Sequence, residues 1–460
     1  MQTNSNHNKP FFIVGYTFLA LLLVSLVFPK TFWKALYLNP VNIIADLAVK
    51  ETPKRASTYK SKNTAPLKNL VKDTIAANAA VAKLIRNDVA IEINDTADEN
   101  EGLANFIHAL HIQAKSKNKK VRIGYFGDSM IEGDLITQTI RTILQNKFGG
   151  NGVGFIPVAS VVAHFRQTVR VNSNENWEDI NYINNKEKLM IGFSGHTFFA
   201  KDNATVTIKP GGGKHLSSLY NLSLLYGNSN NEELVFKFNN EPMKVSGSKR
   251  FNTARLSNDS NLNKASLVFN PSHTPIFGFS SESKYGVMLD NFSFRGTSGT
   301  EITRLNSKML AQIDSLRHYD LIVLHYGPNL LFNDSITSFN YYQKQLEKSI
   351  KHLKKVFPHT SFLIISTADK AFKIDGEFKT GSGVEALLKA QQNVAGKLNC
   401  AFFNLYEAMG GYNSMKTWTE KKPILAGSDY THFNQSGSAK IGRLIGNAIL
   451  NEYEKKYPNN

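Results

Sequence analysis

The feature that most constrains the fold is a change of hydrophobic period, from alternating strand and helix to strand alone and back again. Val121 to Phe126 reads as a short apolar strand, and Ile136, Ile140, Ile143 and Leu144 then mark an amphipathic helix closed by Gly149-Gly150. Between about 166 and 285 the helical stripes vanish. Runs such as Ala204 to Ile208, Leu234 to Phe238 and Ser266 to Phe269 are punctuated there by Gly, Asn and Ser, the pattern of an antiparallel β-sandwich. Alternation resumes with strands at Leu321 to His325, Ser361 to Ser366 and Ala401 to Leu405. Helices fall at Tyr341 to Val356, Val384 to Leu398 and Ser438 to Tyr453. The economical reading is an α/β domain with a parallel sheet, residues 101–165 and 286–460, interrupted by a β insert over 166–285.

The segment before residue 101 has another character. Phe11 to Phe28 carries no charge and, at 1.5 Å per residue, would span about 27 Å as a helix. Residues 1–30 are therefore expected to form a single-pass membrane anchor, with Trp33, Tyr37, Lys30 and Lys34 as interfacial residues. A cleaved signal peptide is the alternative, although its apolar core is normally shorter. Residues 31–100 lack sustained periodicity and read as a linker or stalk. The formal charge of +17 suits an anionic partner such as acidic lipid or an acidic polysaccharide, or simply a solvated, lysine-rich surface. No zinc-finger spacing, RNA-binding signature or arginine-rich block points to nucleic acid. The single cysteine, Cys400, lies in an apolar run and excludes an intramolecular disulfide framework.

Two short stretches can carry chemistry. Gly127-Asp128-Ser129 follows the first strand and opens the next helix, at the edge where open α/β sheets place their sites. A serine there is exposed, and a helix start supplies an amide for an oxyanion; Asp128 and Ser129 are equally suited to cap the helix. Asp429-Tyr430-Thr431-His432 precedes the last helix. A hydroxyl attacks only when a base takes its proton, and the base needs a carboxylate to fix its tautomer; Asp429 and His432 can supply both. Gly211-Gly212-Gly213-Lys214 lacks the full phosphate-loop pattern and reads as a hairpin or loop. His164, His196, His215 and His273 are too dispersed for a metal site, and no metal or cofactor is expected. Phe198, Phe199 and Tyr226 are candidates for a sugar platform or for core packing.

In order along the chain, these pieces resemble the blocks of the SGNH/GDSL hydrolase superfamily. Gly127-Asp128-Ser129 is similar to the first block, and Leu289-Asp290-Asn291-Phe292-Ser293-Phe294-Arg295-Gly296 to the second. Tyr326-Gly327-Pro328-Asn329 resembles the third, and Asp429-x-x-His432 the last. The resemblance implies a flavodoxin-like, three-layer αβα domain. It implies Ser129 as nucleophile, His432 as base and Asp429 as its partner. The oxyanion hole would comprise the Ser129 amide, the Gly296 amide and the Asn329 side chain, with Gly299 as the rival to Gly296. Leu330 stands where the family often has an acidic residue.

Val121 to Phe155, together with Ala408-Met409-Gly410-Gly411 and Trp418, also resembles membrane-anchored bacterial SGNH proteins related to peptidoglycan O-acetylesterases. Those relatives carry a jelly-roll module in the slot of the β insert. That likeness implies an esterase removing O-acetyl groups from an envelope polysaccharide, anchored in the bacterial inner membrane and facing the periplasm. The alternatives are an O-acetyltransferase with the same triad and a membrane acyl-transfer partner, or a glycan-binding protein without turnover.

Overall fold

A computed structural model of the chain describes residues 92–93, 102–161, 163, 166–258 and 262–458. The expected anchor over 1–30, and nearly all of the expected linker over 31–100, lie outside these residues. Among the described residues no helix is long and apolar enough to cross a membrane.

Helix α1 (Ala104–Ser116) leads into β1 (Lys120–Gly127), a 3-10 turn (Ser129–Asp134) and α2 (Thr137–Phe148). Eleven strands follow: β2 (Gly154–Ile156), β3 (Val169–Ser173), β4 (Trp177–Asn181), β5 (His196–Ala200), β6 (Ala204–Pro210), β7 (Ser223–Tyr226), β8 (Leu234–Phe238), β9 (Glu241–Val245), β10 (Asn252–Arg255), β11 (Ala265–Phe269) and β12 (Ile276–Ser281). The α/β part resumes with β13 (Gly286–Ser293), α3 (Ser307–Arg317), β14 (Leu321–His325), α4 (Asn340–Val356) and β15 (Ser361–Ile365). After a hairpin of β16 (Ala371–Ile374) and β17 (Glu377–Thr380) come α5 (Val384–Lys397), β18 (Ala401–Phe403), α6 (Leu405–Met409), α7 (Ser414–Glu420) and α8 (Gln435–Lys456).

The central sheet is parallel, in the order β13-β1-β14-β15-β18. Its strands are buried on both faces, which is why they read as continuous apolar runs. On β1, Val121, Ile123 and Tyr125 face a core shared with α1, α2 and α8. Phe126 faces the opposite core, with residues of α3, α4 and α5. That alternation follows from the two-residue period of a strand, and it produces a three-layer αβα arrangement.

The antiparallel strands form two sheets, β10-β7-β12-β5-β4 with β2 added on β12, and β3-β6-β11-β8-β9. Both contribute to one core that includes Phe198, Ile208, Leu224, Phe236 and Phe279. The middle of the first sheet is covered on both sides. Leu224 and Tyr226 of β7 enter the core between the sheets, whereas Leu225 joins the α/β core with Phe126 and Phe292. This double coverage corrects the sugar-platform alternative for two of its aromatics. Phe198 and Tyr226 are buried, because their strands have no solvent face.

Candidate active site

The register of the parallel sheet brings three loops to one edge. Gly127, at the end of β1, pairs with Ser293 of β13 and with His325 of β14. Ser129, Gly296 and Asn329 therefore leave neighbouring strand ends within a few residues. A Cβ on Gly127 would lie 2.9 Å from both the His325 carbonyl oxygen and the Ile131 side chain, so glycine lets the Ser129 turn close against β14.

Asp128 caps that turn by accepting from the Met130 amide at 2.9 Å. The turn is then locked from two sides. Asp134 accepts from both terminal nitrogens of Arg141, at 2.7 and 2.8 Å. Asn291 of β13 donates to the Ile131 carbonyl at 2.8 Å. Ser129 is thus held on a rigid corner. The helix expected to follow directly begins only at Thr137, because Gly133 and Asp134 adopt positive φ and break the turn from α2.

His432 arrives on the loop before α8. Its Nε2 lies 2.9 Å from the Ser129 Oγ, and its Nδ1 lies 2.6 Å from the Asp429 Oδ2. The other Asp429 oxygen accepts from the amides of Thr431 and His432, each at 3.1 Å. Partial burial raises the Asp429 carboxyl, but the bonds from the His432 side chain and from these amides outweigh it and hold it below its usual value. The loop itself is closed by the Gly427 amide donating to the His432 carbonyl at 2.8 Å. Tyr430 stacks on Phe378 of the β16–β17 hairpin at 3.6 Å between centroids.

Asn329 lies in a single 3-10 turn, Pro328–Leu330. Its side-chain amide donates to the Thr297 carbonyl at 2.9 Å, which ties it to the loop of Gly296. Gly296 takes a left-handed φ of 79°, and a Cβ built there would meet nothing within 4 Å. Gly299 packs instead against the Tyr326 ring, 2.8 Å from a virtual Cβ. The five residues singled out from sequence thus stand on four loops of one sheet edge, with Ser129, His432 and Asp429 in one hydrogen-bonded chain. Among the described residues no three His, Cys, Asp or Glu side chains converge as a metal site.

No family model and no curated protein matches this chain. Among solved structures it is similar to one described as "Peptidoglycan O-acetylesterase in action, 5 min", at a TM-score of 0.66 and 20% identity, over 79% of this chain and 99% of that one. The chain has the fold of that structure. Much weaker overlaps occur with an acetyl xylan esterase, AlAXEase (TM-score 0.28, 18% identity, 36% of this chain and 81% of that one). A lipase/acylhydrolase from Enterococcus faecalis gives a TM-score of 0.26 at 19% identity, over 36% and 77% of the two chains.

Around this site stand residues that motif reading passed over. Lys370 donates from Nζ to the Pro328 carbonyl at 3.2 Å, beside Asn329. Burial pushes its ammonium down, opposed by the nearby Asp429 and Asp128 carboxylates. Glu132, three residues after Ser129, pairs with Arg295, the neighbour of Gly296. This pair bridges the first and second loops. Arg295 was visible inside the second-block stretch, but Lys370 follows β15 with no local pattern to mark it.

Proposed function

We propose that the protein is a serine esterase that removes O-acetyl groups from a cell-envelope polysaccharide such as peptidoglycan. The observation that carries this reading is the Ser129–His432–Asp429 chain of hydrogen bonds, set beside Asn329 and Gly296 in an SGNH fold. The similar structure described as a peptidoglycan O-acetylesterase supports the choice of substrate.

The chemistry follows from the geometry. His432 Nε2 takes the Ser129 proton as Oγ attacks the acetyl carbonyl, and Asp429 stabilises the imidazolium that forms. The tetrahedral oxyanion is received by the amides of Ser129 and Gly296 and by Asn329. One Asn329 N–H is occupied by Thr297, which leaves the other for the oxyanion. His432 returns the proton to the departing sugar oxygen, leaving acetyl-Ser129. Water, deprotonated by the same imidazole, then releases acetate.

His432 and Asp429 are 42% and 52% exposed, so water reaches the base, which favours hydrolysis over transfer to a second sugar. An extracytoplasmic position, anchored through Phe11 to Phe28, would place the site against its polymer. The test is acetate release from p-nitrophenyl acetate and from O-acetylated peptidoglycan, by wild type and by Ser129→Ala. Equal release by the two proteins would sink the proposal. Acetylated sugar formed in preference to acetate, when acceptor sugars are added, would convert it to a transferase.

A further inference from the structure

A cavity of about 1030 Å³ opens on the seam between α2 and the antiparallel body. Its wall includes Gln138 of α2, Arg166, Gln167, Arg170 and Asn172 of β3, and Gly212. It adjoins the elements that carry the site. Gln138 lies four residues beyond Asp134, the residue that locks the Ser129 turn. Gln435, three residues after His432, donates to Gln167 across the seam at 3.1 Å. The volume is at the top of the range for small-ligand sites, about 300–1,000 Å³. An acetyl group would fill little of it; several sugar units would fill it well.

The charge of this wall is one-sided. Among the described residues it holds two guanidinium groups and no carboxylate. Arg166 is nine-tenths buried, and its Nη2 stands 3.6 Å from Asp134. That carboxylate is already taken by Arg141, so two arginines share one negative charge. Arg170 is exposed on the outer face of β3, and the β3–β6 register sets it directly opposite Lys209, also exposed. Like charges directly opposite on one sheet face repel. An anion lying over both would relieve the repulsion. The acetyl ester is neutral, so this charge has no use in the ester chemistry itself.

We infer that the seam cavity binds a stretch of polysaccharide bearing carboxylates, read by Arg170, and so holds the acetylated sugar at Ser129. This inference rests on the esterase reading for its substrate but not for its binding measurement. A nucleic acid, whose phosphates are also anionic, is the competing occupant, and the titration separates the two.

The experiment is calorimetric titration of the Ser129→Ala protein with O-acetylated peptidoglycan strands stripped of peptides, their carboxylates either free or converted to amides. Free-acid strands are expected to bind about tenfold tighter or better, as a charge-assisted guanidinium–carboxylate bond implies. Adding Arg170→Gln should abolish that preference, and Arg170→Lys should keep most of it. Arg170 is exposed, so these variants are expected to fold, which an unchanged melting temperature checks. Equal binding of the two strand forms, or a preference that survives Arg170→Gln, overturns the inference. So does tighter, equally Arg170-dependent binding of a thymidine oligonucleotide. Acetate release by wild type is read separately, and its absence would remove the esterase reading while the titration still reports on the cavity.

Discussion

The two ends of β1 use the same chemical groups for opposite purposes. Toward its amino end, Arg122 is bonded to Glu282 at 2.7 and 2.8 Å and to Asp290 at 3.2 Å. Arg317 and Tyr319 complete the shell of Asp290, at 2.9 and 2.6 Å. Burial alone would raise the Glu282 carboxyl, but Arg122 and Arg317 hold it well below its usual range. Arg122, Asp290 and Arg317 are buried, and Glu282 is nearly so. At the carboxyl end, Ser129, His432 and Asp429 form an equally tight chain, but it ends at a hydroxyl and faces solvent. A largely buried cluster of charges fixes the antiparallel body to the parallel sheet. An unsaturated, wetted one leaves a proton free to move. Carboxylate and cation alone do not decide the role; burial does.

The comparison predicts that substitutions at the two ends separate activity from stability. Ser129→Ala should lower acetate release by roughly 10⁴-fold or more, the scale for loss of a triad nucleophile, with the unfolding midpoint unchanged. A matching fall in unfolding midpoint would mean that the carboxyl end is also structural. Arg122→Met should do the reverse. It removes one of the two guanidiniums that hold Glu282 and Asp290, and is expected to cost up to about 3–5 kcal/mol in denaturant unfolding. Turnover of p-nitrophenyl acetate should stay at the wild-type level wherever the variant is folded. A proportionate loss of turnover by folded variant would erase the distinction between the ends. Asn329→Ala is the next smaller effect, about 10²–10³ in kcat, as for one oxyanion donor. Steady-state kinetics check it, and unchanged kcat would remove Asn329 from the oxyanion hole.

The carboxyl end was far more legible in the sequence than the amino end. Gly127-Asp128-Ser129 and Asp429-x-x-His432 are each contiguous, and each sits where a change of hydrophobic period marks a strand or helix boundary. Arg122, Glu282, Asp290 and Arg317 are spread across the chain and meet only through the β1–β13 pairing. No local spacing announces such a cluster. The β16–β17 hairpin escaped notice for a related reason. Its strands have four residues each, too short for a period to show, yet Phe378 within it braces the loop of Asp429 and His432. The ambiguity over Phe198 and Tyr226 had another source. Alternation signals a solvent face only when a strand has one, and β5 and β7 lie in the covered middle of their sheet.

Asp128 belongs to the carboxyl end by position and to the amino end by burial, and it gives the finest test of the comparison. It is buried like Asp290, yet its Oδ2 has no hydrogen-bond partner. Burial pushes its carboxyl from the usual 3.8 up to about 6, against the lowering influence of the Met130 amide, His432 and the Gly327 amide. A folded-state value above the unfolded one means that folding favours the protonated acid. The contribution of Asp128 to stability is therefore most favourable below pH 4. It declines as pH rises through about 6, by roughly 3 kcal/mol in all for a shift of about two units. Asp128→Asn keeps an acceptor for the Met130 amide but cannot ionise. Urea unfolding of both proteins between pH 4 and 7 should show the variant gaining on wild type across that window. Any constant cost of the amide shifts its curve without changing the slope. Parallel curves would show that Asp128 is as well compensated as the carboxylates at the other end of the strand.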